Sequence, residues 1–194
     1  MSYQHPQPRP VELPTLGAHT ARLIQIVDLG TQVKKGRNGS EYHANEICFG
    51  FELDELMNNG RRWLIRKRLK WSWDSNSELR RWLEGWNNGP FHDDYTPRMS
   101  QYFHQLATVN VAYFDINGVS KPTISDVYPA NEGAMMSPTR NTTVLLSLHT
   151  EQYNHDEFLK LDPYWKKVIA RSPQHQKAQH DYYSRLKAQQ NAGR

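Results

Sequence analysis

Residues 61–73 combine many cations with large aromatic rings. The stretch contains six basic residues, three tryptophans and no acid: Arg61, Arg62, Arg66, Lys67, Arg68, Lys70, Trp63, Trp71 and Trp73. Cations neutralise phosphates and flat rings stack on bases, so this combination is typical of a surface that binds a single nucleic-acid strand. The alternative is the solvated outer face of an edge strand, where arginine and lysine discourage aggregation.

A strand turns alternate side chains to opposite faces of its sheet, which sorts these residues into two sets. The cationic set is Arg62, Leu64, Arg66, Arg68 and Lys70, and the mostly apolar set is Trp63, Ile65, Lys67, Leu69 and Trp71. Neighbouring like charges repel and cannot be buried unpaired, so the cationic set needs a polyanion or water opposite it. Trp63 and Trp71 point away from that set, which favours Trp73 as the stacking platform.

Further candidates for nucleic-acid contact lie outside this stretch. A glycine-containing loop carries Lys34, Lys35 and Arg37, and it lacks the spacing and the Lys-Ser/Thr ending of a nucleotide-binding P-loop. A cationic hairpin loop beside a binding face fits its composition, and a solvated loop is the alternative. Tyr42 and Tyr113 complete the set of aromatic candidates for base stacking.

The acidic residues give only weak support to a metal-dependent enzyme. Asp28, Glu52, Asp54 and Glu55 could hold Mg²⁺, but they lie at expected strand ends and turns, and no recognised nuclease spacing joins them to a lysine. The run 92–94, His-Asp-Asp, is predicted to be a surface turn. We therefore expect no catalytic residue, no metal site and no cofactor, with a magnesium-dependent nuclease as the weakest alternative.

Composition limits the class of protein further. The net charge of the 194 residues is only +4, but the concentration of cations in one stretch points to nucleic acid more than to an acidic small molecule. Cys48 is the single cysteine, which excludes a disulfide framework within one chain. No apolar stretch approaches the length of a membrane span, and the N-terminus lacks the pattern of a signal peptide. We therefore expect the protein to lie in a reducing cytosol.

The elements that would position these residues follow a recognisable order. The pattern predicts strands at 19–29, 45–53 and 61–73, a helix at 75–86, and a hairpin of 106–116 and 120–128 around Asn117-Gly118. This is the order of a mainly β fold, the five-stranded OB-fold barrel with a helix between strands three and four. Strands two and three and the loops joining strands one to two and four to five form the binding surface of that fold.

The chain is thus divided into four parts. Residues 1–16 are expected to be a flexible, proline-rich leader, and residues 17–130 the OB-fold nucleic-acid-binding domain. Residues 131–154 are predicted to be a linker. Residues 155–194 are predicted to form a helical C-terminal extension that ends in a basic tail.

The spacing of several segments over residues 17–172 is similar to that of a known family. These segments are Ala21-Arg22-Leu23, Asp28-Leu29-Gly30, the strand 45–53, the run 77–86, the hairpin 109–128 and the run 165–172. In this pattern the chain resembles the OB-fold single-stranded-DNA-binding proteins of tailed-bacteriophage replication modules. The resemblance implies protection of single strands during phage DNA replication or recombination, in the cytoplasm of the infected bacterial host, and it implies no fixed contact residues.

The predicted function is therefore non-catalytic binding of single-stranded DNA with little sequence preference. Expected partners are single-stranded DNA, replication or recombination proteins and further copies of the chain, but no membrane. Many replication single-strand binders end in an acidic tip that recruits enzymes, whereas this terminus carries Lys177, Arg185, Lys187 and Arg194. The alternative is an assembly or scaffold protein whose basic face binds an acidic protein partner.

Overall fold

The structure, a computed structural model, describes residues 12–36 and 38–192. Its strands are β1 (Gly17–Lys35), β2 (Glu41–Leu56), β3 (Arg62–Lys70), β4 (Leu106–Ile116), β5 (Val119–Pro129) and β6 (Val144–Leu146). Its α-helices are α1 (Glu78–Trp86), α2 (His155–Leu159), α3 (Pro163–Ile169) and α4 (Pro173–Ala192), and a 3₁₀ turn spans Met99–Tyr102. None of the described helices is both long enough and apolar enough to cross a membrane.

The six strands form one sheet that is not closed. The first five follow the order β3-β2-β1-β4-β5 with antiparallel pairing, and β6 joins β1 in parallel. Strand β3 comes within 8 Å of β5 between Cα atoms, but no hydrogen-bonded ladder joins the two. The mainly β class, the order of three strands, a helix and a hairpin, and the helical C-terminal extension are confirmed.

The main core lies between one face of the sheet and α1. Alternate residues of β2, among them Phe49 and Phe51, are fully buried there, as the period-2 pattern predicts. The ring of Trp82 on α1 packs 6.1 Å and 6.0 Å from those two phenylalanine rings, measured between centroids. The helix begins later than predicted, because Ser77 rather than Ser75 caps it by accepting a hydrogen bond from the backbone N–H of the first turn.

The hairpin of β4 and β5 has the predicted tight turn. Both central residues have positive φ, 51° at Asn117 and 76° at Gly118, which is the requirement of the type I′ turn that matches the twist of two antiparallel strands. The tip of this hairpin is exposed.

A second core, here called the C-terminal core, covers the opposite face of β1 and β2. Val27, Leu29 and Cys48 are buried on that face, under residues of β6, of the three C-terminal helices and of the segments that join them: Val144, Leu146, Leu148, Tyr153, Phe158, Leu161, Ile169 and Ala178. Strand β6 and part of this core come from the segment 131–154, which the sequence analysis described as a linker. The extension is therefore packed on the sheet.

Hydrogen bonds anchor the segment before β6 to the sheet. The Glu52 carboxylate, fully buried on β2, accepts from Arg140 N at 2.9 Å and from Asn141 N and Nδ2 at 2.8 Å each. The Gln25 side chain on β1 donates to Thr142 O at 2.8 Å. These bonds fix the direction in which the chain enters β6.

Replacement of Ile169 by alanine tests whether the C-terminal core contributes to stability. Ile169 is fully buried, so the loss of its side chain should lower the free energy of unfolding by about 2–5 kcal/mol. Leu159→Ala is the matched control, because that side chain is 53% exposed, and we expect a change below about 0.5 kcal/mol. Urea unfolding followed by circular dichroism measures both; equal effects would contradict a packed extension.

Candidate nucleic-acid interface

Acids from other elements pair with the first part of the cationic set on β3. Arg62 is buried, with Nη2 3.2 Å from Asp54 Oδ1 and Nη1 3.9 Å from Glu52 Oε2. Arg66 Nη2 lies 3.3 Å from Asp162 Oδ2, at the residue that caps α3. The stretch 61–73 contains no acid, but the described residues around it supply five: Glu52 and Asp54 to Arg62, Asp162 to Arg66, Glu78 to Lys67 and Glu46 to Arg68.

The Glu52 carboxylate is held in its charged form. Burial opposes its ionisation, but the hydrogen bonds from Arg140 and Asn141 outweigh burial and hold the pKa of this carboxyl below its ordinary value. A charged Glu52 then stabilises the buried guanidinium of Arg62. A phosphate could reach Arg62 only by displacing these groups.

The C-terminal extension also covers Arg66. Its Nε donates to Gln25 Oε1 at 2.8 Å, and its guanidinium carbon lies 5.9 Å from the centre of the Trp165 ring on α3. A carboxylate and an aromatic ring of the same chain thus occupy this arginine. The two contacts resemble in chemistry those that a phosphate and a base would make.

Cations remain in excess where β3 ends beside the hairpin of β1 and β2. Buried Glu46 is shared by two cations: Lys34 Nζ lies 2.7 Å from one of its oxygens, and the Arg68 guanidinium contacts the other. Lys35 and Lys70 are exposed, and the ion pairs among the described residues include neither. We call Lys34, Lys35, Arg68 and Lys70 the hairpin-end cations. Arg37 lies outside the described residues.

Three of the five predicted stacking residues are tied into the fold. Trp63 is half-buried against the main core. The Trp73 indole is half-buried and donates to Tyr95 O at 2.7 Å, and the Tyr113 hydroxyl donates to Pro14 O. Only the exposed part of each of these rings is accessible to a base.

The other two rings are exposed near the hairpin-end cations. Tyr42 is 50% exposed and lies directly opposite Lys34 in the register of β1 and β2. Trp71 is 39% exposed, and its backbone N–H donates to Asn45 O at 2.7 Å just past the end of β3. The alternation pattern along β3 carries no information on whether Trp71, one residue past the end of the strand, is covered.

Trp71 stands between two adjoining cavities of about 620 and 790 Å³, which we call the Trp71 groove. Both cavities are lined by Asp28, Trp71, Ser147 and Gln152. The first continues past Gly30, Asn45, Leu148, His149, Thr150, Gln174 and Lys177, and the second past Ile26, Ile47, Thr96, Pro97, Arg98, Met99, Ser100, Leu145 and Leu146. Of the lining residues, the sequence pattern indicated Trp71 as a stacking residue and Asp28 as a weak candidate for a Mg²⁺ ligand. The contribution of residues 145–152 was missed because residues 131–154 were predicted to be a linker.

The Asp28 carboxylate is the acidic group of the groove. It accepts hydrogen bonds from Gly30 N at 2.8 Å and from Leu148 N at 3.2 Å, and burial raises its pKa above the ordinary value in spite of them. Arg98 and Lys177 are exposed cations on different cavities. Among residues 12–36 and 38–192, no three His, Cys, Asp or Glu side chains cluster in a way that could hold a metal ion.

Arg62 and Lys70 belong to the same predicted cationic set but should differ in their effect on stability. Arg62→Ala leaves Glu52 buried without its cation, which should lower the free energy of unfolding by about 3–5 kcal/mol. Lys70→Ala removes an exposed charge and should change it by less than about 0.5 kcal/mol. Denaturant titration of both variants measures the difference; a neutral Arg62→Ala would contradict the structural role of this arginine.

The structure thus brings Tyr42, Trp71 and the hairpin-end cations to one end of the first three strands. It places Arg62 and Arg66 in ion pairs, and it holds Trp63, Trp73 and Tyr113 half-buried. Comparison of the chain with protein-family models and with curated proteins gives no match.

Proposed function

We propose that the protein binds single-stranded DNA, without catalysis and with little sequence preference, on the surface formed by Tyr42, Trp71 and the hairpin-end cations. The observation that carries the proposal is the placement of two exposed rings near four cations. Lys34 and Arg68 share the Glu46 carboxylate, whereas Lys35 and Lys70 are exposed and have no ion pair among the described residues. Proteins that bind single strands without sequence preference combine a positive track for phosphates with aromatic platforms for bases.

The strand order supports this choice of surface. We interpret the first five strands as a partly open OB-fold barrel, in which β3 and β5 would be the edges that approach each other, with β6 added to β1. In OB-folds, the face of strands two and three and the loops after strands one and four bind oligonucleotides. Tyr42 and Lys34 belong to the hairpin that contains the first of these loops.

The track that we propose is shorter than the sequence alone suggests. We assign phosphate contacts to the hairpin-end cations and, from the sequence alone, to Arg37. Arg62 and Arg66 are assigned to the stability of the fold because both are already paired. The biological setting, protection of single strands in phage replication or recombination in the host cytoplasm, rests on the family resemblance.

A protein partner is the second candidate ligand. The tip of the β4–β5 hairpin exposes Phe114, Ile116 and Val119 by 44%, 43% and 48%, and exposed apolar side chains in a cluster are a feature of protein contact surfaces. An assembly protein would use this tip and the basic end against an acidic partner. No observation among the described residues favours a nuclease.

Removal of two hairpin-end cations tests the proposed DNA track. In the double variant Lys35→Ala/Lys70→Ala, the plot of log affinity against log salt concentration should become shallower by about 1.4, because each neutralised phosphate of a single strand contributes about 0.7 to the slope. The control is the double variant Lys160→Ala/Lys187→Ala. It changes the net charge by the same amount as the test variant, but its two substitutions lie on α4 and just after α2. Filter binding of an oligothymidylate at several salt concentrations measures the slopes.

The control also separates local contact from net charge. Equal slopes for the two double variants would assign the effect to the charge of the whole molecule and contradict the track. Retention of an acidic protein together with no retention of the oligonucleotide would favour the assembly function.

A further inference from the structure

We infer that the Trp71 groove is a base-binding pocket that seats a nucleotide unit of the bound single strand, with the C-terminal extension as one of its walls. The inference rests on the proposed function and deepens it, because it adds to the exposed ring of Trp71 a cavity whose wall lies outside strands two and three.

The groove has the size and the lining of a small-ligand site. Its cavities of about 620 and 790 Å³ fall within the range of roughly 300–1,000 Å³ in which proteins bind small organic groups. Ile26, Ile47 and Leu146 are buried and form its apolar part. The exposed ring of Trp71 provides the flat surface on which a base can stack.

Polar groups of the groove are held in position before any ligand binds. Thr31 accepts a hydrogen bond from Gln174 Nε2 and donates one to Asn45 Oδ1, both at 2.6 Å. The backbone N–H of Thr31 also donates to Gln174 Oε1 at 3.0 Å. The start of α4 is therefore bound to β1 and β2 beside Trp71, which makes the wall part of the folded sheet.

The distribution of charge favours a nucleic-acid strand as the occupant. The acid of the groove, Asp28, already accepts two backbone hydrogen bonds. The exposed cations lie around the ring: Arg98 on one cavity, Lys177 on the other and Lys70 next to Trp71 in the chain. A base stacked on the indole would place its flanking phosphates towards these cations, whereas an acidic peptide would have no need of the ring.

Tryptophan fluorescence with two matched oligonucleotides tests the pocket. Trp71 is the only exposed one of the six tryptophans, all of which are described, so its stacking on a base should dominate any quenching. An oligothymidylate should quench the emission. An abasic strand of the same length should bind more weakly and leave the emission unchanged, because it offers the phosphates without the bases.

Variants of the groove provide the second part of the test. Trp71→Phe should still bind the oligothymidylate but lose most of the quenching, and Trp71→Ala should weaken binding about 5- to 150-fold, the range for loss of one base–aromatic stack. Arg98→Ala and Lys177→Ala should each make the salt slope shallower by about 0.7. Lys187→Ala, on the exposed part of α4 away from the groove, is the control and should leave affinity unchanged.

The outcomes separate the pocket from the proposed function. If the strand binds and the Lys35/Lys70 double variant weakens it, while the Trp71, Arg98 and Lys177 variants bind like the wild type, the pocket and the stacking role of Trp71 are wrong. Binding of the strand by the hairpin-end cations then stands. If neither oligonucleotide binds the wild-type protein, both the pocket and the proposed function are wrong.

Discussion

Burial of the apolar face of β1 and β2 under the C-terminal extension is the constraint on which the rest of the structure depends. Val27, Leu29 and Cys48 lie on the face of the sheet that also carries the cationic set, and apolar surface of this extent is stabilised by removal from water. The extension that covers it brings Asp162 and Trp165 to Arg66. Of the cationic set on this face, Lys70 at the hairpin end is left exposed.

The cations of the stretch 61–73 consequently differ in how far they are accessible to a ligand. Arg62 is buried in ion pairs whose loss would leave a charge without a partner, so its charge serves the fold. Lys70 is exposed, and among the described residues it has no acidic partner, so its charge is accessible to a polyanion. Arg68 is intermediate, because it shares Glu46 with Lys34. The cations that form one continuous set in the sequence thus differ in burial and in pairing in the structure.

The sequence predicted the features that depend on local pattern. The alternation in β2, the turn at Asn117-Gly118 and the apolar face of α1 each follow from the chemistry of neighbouring residues, and the structure confirms them. The pairing of Arg66 with Asp162 could not be predicted, because the two residues are far apart in the chain and meet only through the packing of α3. The three-residue strand β6 is too short for a period-2 signal, so its segment resembled a linker.

The same distinction explains the change of the favoured stacking residue from Trp73 to Trp71. The alternation along β3 indicates which face a ring occupies, but the covering of that face depends on Tyr95, on the 3₁₀ turn and on the segment 145–152. Those contacts arise from tertiary packing. The exposure of Trp71 and the covering of Trp73 therefore follow from tertiary packing and not from the motif alone.

The most direct test of the central claim is a titration of the wild-type protein with an oligothymidylate and with a duplex of equal length at two salt concentrations, followed by tryptophan fluorescence. The account predicts quenching by the single strand, much weaker binding of the duplex, and an affinity for the single strand that falls as salt rises with a slope of about −0.7 per neutralised phosphate. Absence of quenching together with absence of binding to either DNA would contradict it.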